Sequence, residues 1–237
     1  MLAGLWPGAA RGMPPRKSYQ LITFDVYTAL FDIESSLTPV VSQFLDLDSL
    51  TFVRAWRRKQ LEYALISNSL QKGRESFEVL TRRALDDTLT HSNLNLPKNL
   101  QTRLLDAWQT LQPWPEAVAV LSSIKARGYT MGILSNGDTA MLKILIRRLP
   151  PVIEHIFSSE QAGYYKPHPS VYALPLQTLS LAADQVLHVA GSATDALGAK
   201  AAGLQCAWSN RNHEPLIDPT FPVDFDMPDL SQLLEML

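Results

Sequence analysis

Four short polar clusters follow apolar runs in this chain, and each carries a group that could do chemistry. The first is FDVYTALFD (24–32), where Asp25 directly ends an apolar stretch. The second is LSNGD (134–138), with Ser135 and Asn136. The third is YYKPHPSVY (164–172), which places Lys166 before a proline-started helical pattern and Tyr172 on that helix. The fourth is VAGSATDALGAKAAG (189–203), with Ser192 and Asp195 at a helix start. Taken singly, each is weak. Asp25 could be a capping or turn aspartate, and LSNGD could be a turn. Brought to one cavity, they would supply a carboxylate nucleophile, hydroxyl and amide groups for an anion, an amine to neutralise charge, and a second carboxylate to hold the amine.

Positioning them requires one sheet. Residues 19–26, 129–136, 155–159, 185–191 and 204–210 read as strands, and 114–128, 139–149, 169–181 and 194–203 as helices between them. Gly128 and Gly203 stand where helix C-caps belong. This alternation predicts an α/β fold with a parallel sheet covered on both faces. In such sheets, polar chemistry gathers at the C-terminal strand ends. Helical patterns alone fill the gap after the first strand: 50–70, 74–89 and 99–112. The expected organisation is a core from 19–36 and 113–237, a helical cap domain at 37–112, and a flexible tail at 1–18. PWP (113–115) marks the return to the core, because proline cannot continue a helix. The tail is rich in Gly, Ala and Pro; it reads as a disordered tail, as an upstream start with Met13 as the real one, or as a short targeting peptide.

Composition narrows the function classes. The 237 residues carry 21 Lys+Arg against 23 Asp+Glu, a net charge of −2, with no basic run to suit nucleic acid. Apolar residues make up 46%, enough for a proper core, yet no stretch approaches the length of a membrane span. The single cysteine, Cys206, excludes an internal disulfide and reads as a core thiol in its apolar run. The five histidines are scattered, without zinc-ligand spacing. A cytoplasmic protein is expected.

The ordered clusters resemble the four motifs of the haloacid dehalogenase superfamily, which implies a doubly wound, Rossmann-like core with a helical cap inserted after the first strand. Most members are magnesium-dependent phosphatases with an acid two residues after the nucleophile and a pair of acids in the last motif. Here Tyr27 and Ala190 stand at those positions, and Mg²⁺ needs hard oxygen ligands. The chain is more similar to the type II (S)-2-haloacid dehalogenases: FDVY…LFD including Tyr27 and Asp32, WRRKQLEY (56–63), LSNG, YKP…VY, and DALGAKAAG…CAWSNR (195–211) follow in their order from about Leu21 onward. The resemblance implies Asp25 as nucleophile, attacking the halogen-bearing carbon to give an aspartyl ester. Water then hydrolyses the ester to a 2-hydroxy acid of inverted configuration, with no metal or cofactor. It implies Lys166 holding Asp25 ionised, Asp195 orienting Lys166 and water, and Arg57 receiving the halide from the cap. Ser135 and Asn136 would bind the substrate carboxylate. Tyr27, Thr28, Leu61, Phe77, Tyr172 and Ser192 complete the substrate site, although Leu61, Phe77 and Tyr172 could equally be packing residues. The implied partners are a small halogenated carboxylic acid and water, and a second copy of the chain.

Three positions depart from that branch. Thr28-Ala29 replaces Gly-Thr, Ala190 replaces a serine, and Ser192 replaces an asparagine. The lost groups are small hydrogen-bonding side chains, and such donors carry large rate effects. Altered substrate range or slow ester hydrolysis is therefore expected. A phosphatase with a reduced metal site, and a silent member that binds a small carboxylate or a protein, remain open alternatives.

Overall fold

The computed structural model describes residues 19–70 and 73–237. The expected tail at 1–18, and the choice between Met1 and Met13, lie outside the described residues. Every residue of β1 (Leu21–Phe24) is buried, consistent with a central strand covered on both faces. It is followed by one π-helical turn (Val26–Leu30) and the short β2 (Phe31–Asp32). Helices α1 (Ile33–Val41), α2 (Ser49–Leu70), α3 (Phe77–His91) and α4 (Lys98–Asp106) come next, and β3 (Gln112–Pro113) returns to pair with β2. The rest alternates: α5 (Ala117–Ala126), β4 (Met131–Ser135), α6 (Thr139–Ile146), β5 (His155–Ser158), α7 (Ser159–Ala162), α8 (Pro169–Leu179), β6 (Val186–Ala190), α9 (Ala193–Ala201), β7 (Gln205–Ser209), β8 (Phe225–Met227) and α10 (Leu233–Met236).

The main sheet runs β5-β4-β1-β6-β7-β8, and all neighbours are parallel. The order reverses at β1, with β4 on one side and β6 on the other, so the ends of β1, β4 and β6 open onto one crevice. The two faces carry separate apolar clusters. Ile22, Phe24, Ile133, Leu187 and Val189 point to one, and Leu21, Leu134, Val186, Ala190 and Cys206 to the other. The first cluster continues without a break into the inserted helices through Trp56, Phe77 and Trp108. Tyr27 joins the two parts, its ring 5.3 Å from Phe77 and 6.0 Å from Trp108. Cys206 is fully buried, which pushes its thiol up.

The structure differs from the sequence reading in three places. The helix expected at 99–112 stops at Asp106, followed by a 3-10 turn at Ala107–Gln109. That turn puts Trp108 into the apolar cluster and frees Gln112–Pro113 to pair with Phe31–Asp32. The resulting two-stranded ladder closes the insertion where no strand was expected. The edge strand β8 was also unforeseen, because three residues offer almost no periodicity.

Candidate active site

Asp25 stands one residue beyond β1. Its amide N–H donates to Val189 O at 3.0 Å, which fixes the strand tip. The carboxylate caps the π-helical turn, so the capping reading of this aspartate holds. Oδ2 accepts from the Thr28 amide at 3.2 Å and from Thr28 Oγ1 at 3.1 Å. Oδ1 accepts from Ser135 Oγ at 3.1 Å and lies 3.4 Å from Lys166 Nζ. Thr28 thus brings a hydroxyl to Asp25 although Ala29 has none. The loop is held tightly, since a Cβ on Gly191 would lie 2.3 Å from Ala29 N and Thr28 Oγ1.

Lys166 is 6% exposed and its ammonium bridges two carboxylates, with Asp195 Oδ2 at 3.0 Å. The main chain of Lys166 is fixed as well, its N–H donating to Asn136 Oδ1 at 2.8 Å. Asp195 lies in the first turn of α9, where Ser192 is the N-cap and accepts from the Asp195 amide at 3.4 Å. Tyr172 Oη donates to Asp195 Oδ1 at 2.8 Å. Burial alone would raise the Asp195 carboxyl. The Lys166 charge and His188 outweigh it and hold the group well below the usual carboxylate range.

His188 was not singled out by sequence reasoning. It is fully buried in β6, with Nε2 3.0 Å from Asp195 Oδ2 and 3.3 Å from Lys166 Nζ, and Nδ1 2.9 Å from Thr23 Oγ1. Burial drives it toward the neutral form, against the pull of Asp195. A neutral ring donating from Nε2 to Asp195 leaves Nδ1 to accept the Thr23 hydroxyl. Thr23 and His188 are register partners on adjacent apolar strands. A polar residue at the centre of each of two apolar runs was the available signal.

Arg57 comes from α2. Its guanidinium carbon lies 5.5 Å from the Tyr27 ring centre and 5.9 Å from that of Trp108, and Nη1 donates to Gln60. It makes no ion pair with a described residue, and its Nε is buried without a partner. Burial lowers its pKa, partly offset by Asp25. Arg58 and Lys59 differ: Arg58 is exposed, and Lys59 pairs with Glu62 at 2.9 Å.

A cavity of about 50 Å³ lies among Asp25, Tyr27, Thr28, Arg57, Leu61, Leu65, Asn136, Lys166, Ser192, Thr194 and Asp195. Nine of the twelve residues expected at the site border it. The other three do not reach it, so their expected substrate contacts are corrected. Ser135 is fully buried and spends its hydroxyl on Asp25. Phe77 is fully buried behind Tyr27, its ring also 5.9 Å from that of Tyr165 at a tilt of 46°. Tyr172 is fully buried behind Asp195, where Gly198 leaves room for its ring; a Cβ there would lie 2.4 Å from Oη. Thr194 and Leu65 border the cavity and were missed. Among the described residues, no three His, Cys, Asp or Glu side chains are grouped to hold a metal ion.

A profile of haloacid dehalogenase-like hydrolases matches residues 19–203. The chain belongs to that family. Within these hydrolases, it is 33% identical to (S)-2-haloacid dehalogenase 1 of Pseudomonas sp. (strain CBS-3), over 90% of this chain and 94% of that protein. It is 30% identical to haloacetate dehalogenase H-2 of Moraxella sp. (strain B), over 93% and 99%. The crystal structure of L-2-haloacid dehalogenase from Xanthobacter autotrophicus with chloropropionic acid covalently bound superposes with a TM-score of 0.82 at 26% identity, covering 92% of this chain and 98% of that one. The fold and family expected of the sequence are thus borne out: the chain is a hydrolase of the haloacid dehalogenase type. No helix among the described residues is long and apolar enough to cross a membrane.

Proposed function

We propose that the protein is a hydrolytic dehalogenase of short (S)-2-haloalkanoic acids, working through an aspartyl ester on Asp25. One observation carries this reading: a fixed carboxylate and an unpaired buried-side cation, Asp25 and Arg57, border the same small cavity. Three donors hold Asp25 in place, namely Ser135 Oγ, Thr28 and Lys166. One Asp25 oxygen attacks the carbon bearing the halogen from the side opposite the leaving group, which inverts that carbon. The carbon–halogen bond breaks, and the halide departs toward the guanidinium of Arg57. Asn136 and the amides following Asp25 receive the substrate carboxylate, and Leu61 and Tyr27 face its alkyl part. Water then adds to the ester carbonyl of Asp25, so the second step leaves the inverted carbon untouched. Lys166 positions that water by donating to it, and the Asp195 carboxylate accepts its proton, with His188 behind them. The products are a 2-hydroxy acid of inverted configuration and a halide ion. No metal takes part, the protein is cytoplasmic, and it works as a homodimer.

Ala190 and Ser192 supply fewer hydrogen bonds to the water than the related branch has, so ester hydrolysis is slow relative to alkylation. The test is incubation with (S)- and (R)-2-chloropropanoate, reading chloride and intact mass. Turnover of the (S) acid supports the proposal, and one equivalent of chloride with a stable adduct on Asp25 localises the slow step. Absence of both chloride and adduct for every haloacid overturns it.

A further inference from the structure

A second cavity adjoins the catalytic one and is far larger, about 530 Å³ against about 50 Å³. The two share Thr28, Arg57, Leu61 and Leu65 as walls. The larger chamber lies between α1 and α2, and its remaining walls include Ile33, Val53 and Arg58. Ile33 and Val53 are buried core residues that line it. At the rim, Arg54 and Glu34 tie α2 to α1 through two bonds of 2.8 Å.

The chamber is apolar and incompletely covered. Leu65 is 43% exposed although it borders both cavities. A half-exposed leucine one step from a catalytic carboxylate is surface that a ligand can remove from water. The catalytic cavity holds little beyond a carboxylate, a halogen and the carbon between them. Any longer substituent on that carbon has the shared wall of Thr28, Arg57, Leu61 and Leu65 as its way out. Beyond that wall it meets hydrocarbon, including the aliphatic stems of Arg54 and Arg58.

We infer that the substrate class is 2-haloalkanoic acids with an extended apolar chain, of about six to eight carbons, whose tail occupies the chamber between α1 and α2. This rests on the reading of Asp25 as the nucleophile and extends it from short acids to longer ones. Each buried methylene favours binding by up to about fourfold, so the gain over a three-carbon acid accumulates until the chamber is filled.

The experiment measures bromide release from (S)-2-bromopropanoate, (S)-2-bromohexanoate and (S)-2-bromooctanoate. The expected result is a kcat/KM at least tenfold higher for the hexanoate than for the propanoate, carried mainly by KM. Arg58→Trp, which fills the chamber from an exposed helix position, should lower that ratio at least tenfold. Turnover of the propanoate with no gain for longer acids overturns the inference and leaves the dehalogenase reading standing; light scattering then shows whether a second copy covers the chamber. A ratio unchanged by Arg58→Trp overturns it as well. Bromide from none of the acids overturns the dehalogenase reading, and alkanoate binding then decides the chamber. Greater thermal stabilisation by octanoate than by propanoate supports it, and equal stabilisation overturns it.

Discussion

His188 Nε2 lies 3.0 Å from Asp195 Oδ2, so the carboxylate that holds Lys166 is itself held by a buried imidazole. The groups facing that ring are Asp195, Lys166, Asp25, Thr23 and Tyr172 from the neighbouring strands and helices, with Cys206 beside it in register on β7. Burial lowers the His188 pKa in the folded state. In the unfolded chain a histidine takes up a proton near pH 6.5. Between those two values the unfolded state binds more protons, so stability falls as pH drops below about 6.5. Asp195 behaves differently. Its depressed carboxyl contributes stability that is present above about pH 4 and lost only on further acidification through its folded value. Melting temperatures of the wild type and His188→Gln from pH 8 to pH 5 should diverge in slope, with the variant flatter. Parallel slopes would show that folding leaves the His188 pKa unshifted.

Asp25→Asn should abolish both halide release and the covalent adduct. The amide keeps the shape that caps the turn at Val26–Leu30, so the fold is retained. Intact mass and circular dichroism together read this, and residual adduct formation would point to a different nucleophile.

Thr28→Val removes the hydroxyl on Asp25 Oδ2 at 3.1 Å. A hydrogen bond to a charged group contributes about 1.5–3 kcal/mol, which corresponds to roughly tenfold to hundredfold in the alkylation rate if the nucleophile loses its alignment. Single-turnover adduct formation measures that step alone. An unchanged rate would assign the alignment to Ser135 and Lys166.

Lys166→Met leaves Asp25 and Asp195 buried without their shared cation. Breaking such a pair costs about 3–5 kcal/mol. Urea unfolding should show that loss, and the double variant with Asp195→Asn should recover part of it. If the double variant is no more stable than the single one, charge is not the cause.

The sheet and the polar residues at its strand ends were legible in the sequence, because both depend on local pattern. Apolar runs such as Leu21–Phe24 and Met131–Ser135 end on polar residues, so Asp25 and Asn136 had to emerge where strands end. Arg57 was legible through the cap motif, which carries its neighbours with it. The roles of Ser135, Tyr172 and Phe77 were not. Each is the right residue close to the right place, yet each is fully buried one layer behind the cavity. Sequence spacing places a residue on an element, but depth within the fold is set by what packs against it.

The sequence alone determined an alternating α/β chain, an inserted helical block and a carboxylate-bearing strand tip, since strand and helix periods and capping chemistry act over a few residues. The tertiary structure decided which groups meet. Thr23 and His188 face each other only because β1 and β6 pair in that register, 165 residues apart in the chain. Asp25 and Asp195 share the Lys166 ammonium only because β1 and β6 are neighbours and α9 starts beside them. The wide chamber likewise exists only because α1 and α2 pack beside Thr28. Such contacts depend on the packing of distant segments, where a shift of one strand register would turn Thr23 or His188 to the opposite face of the sheet.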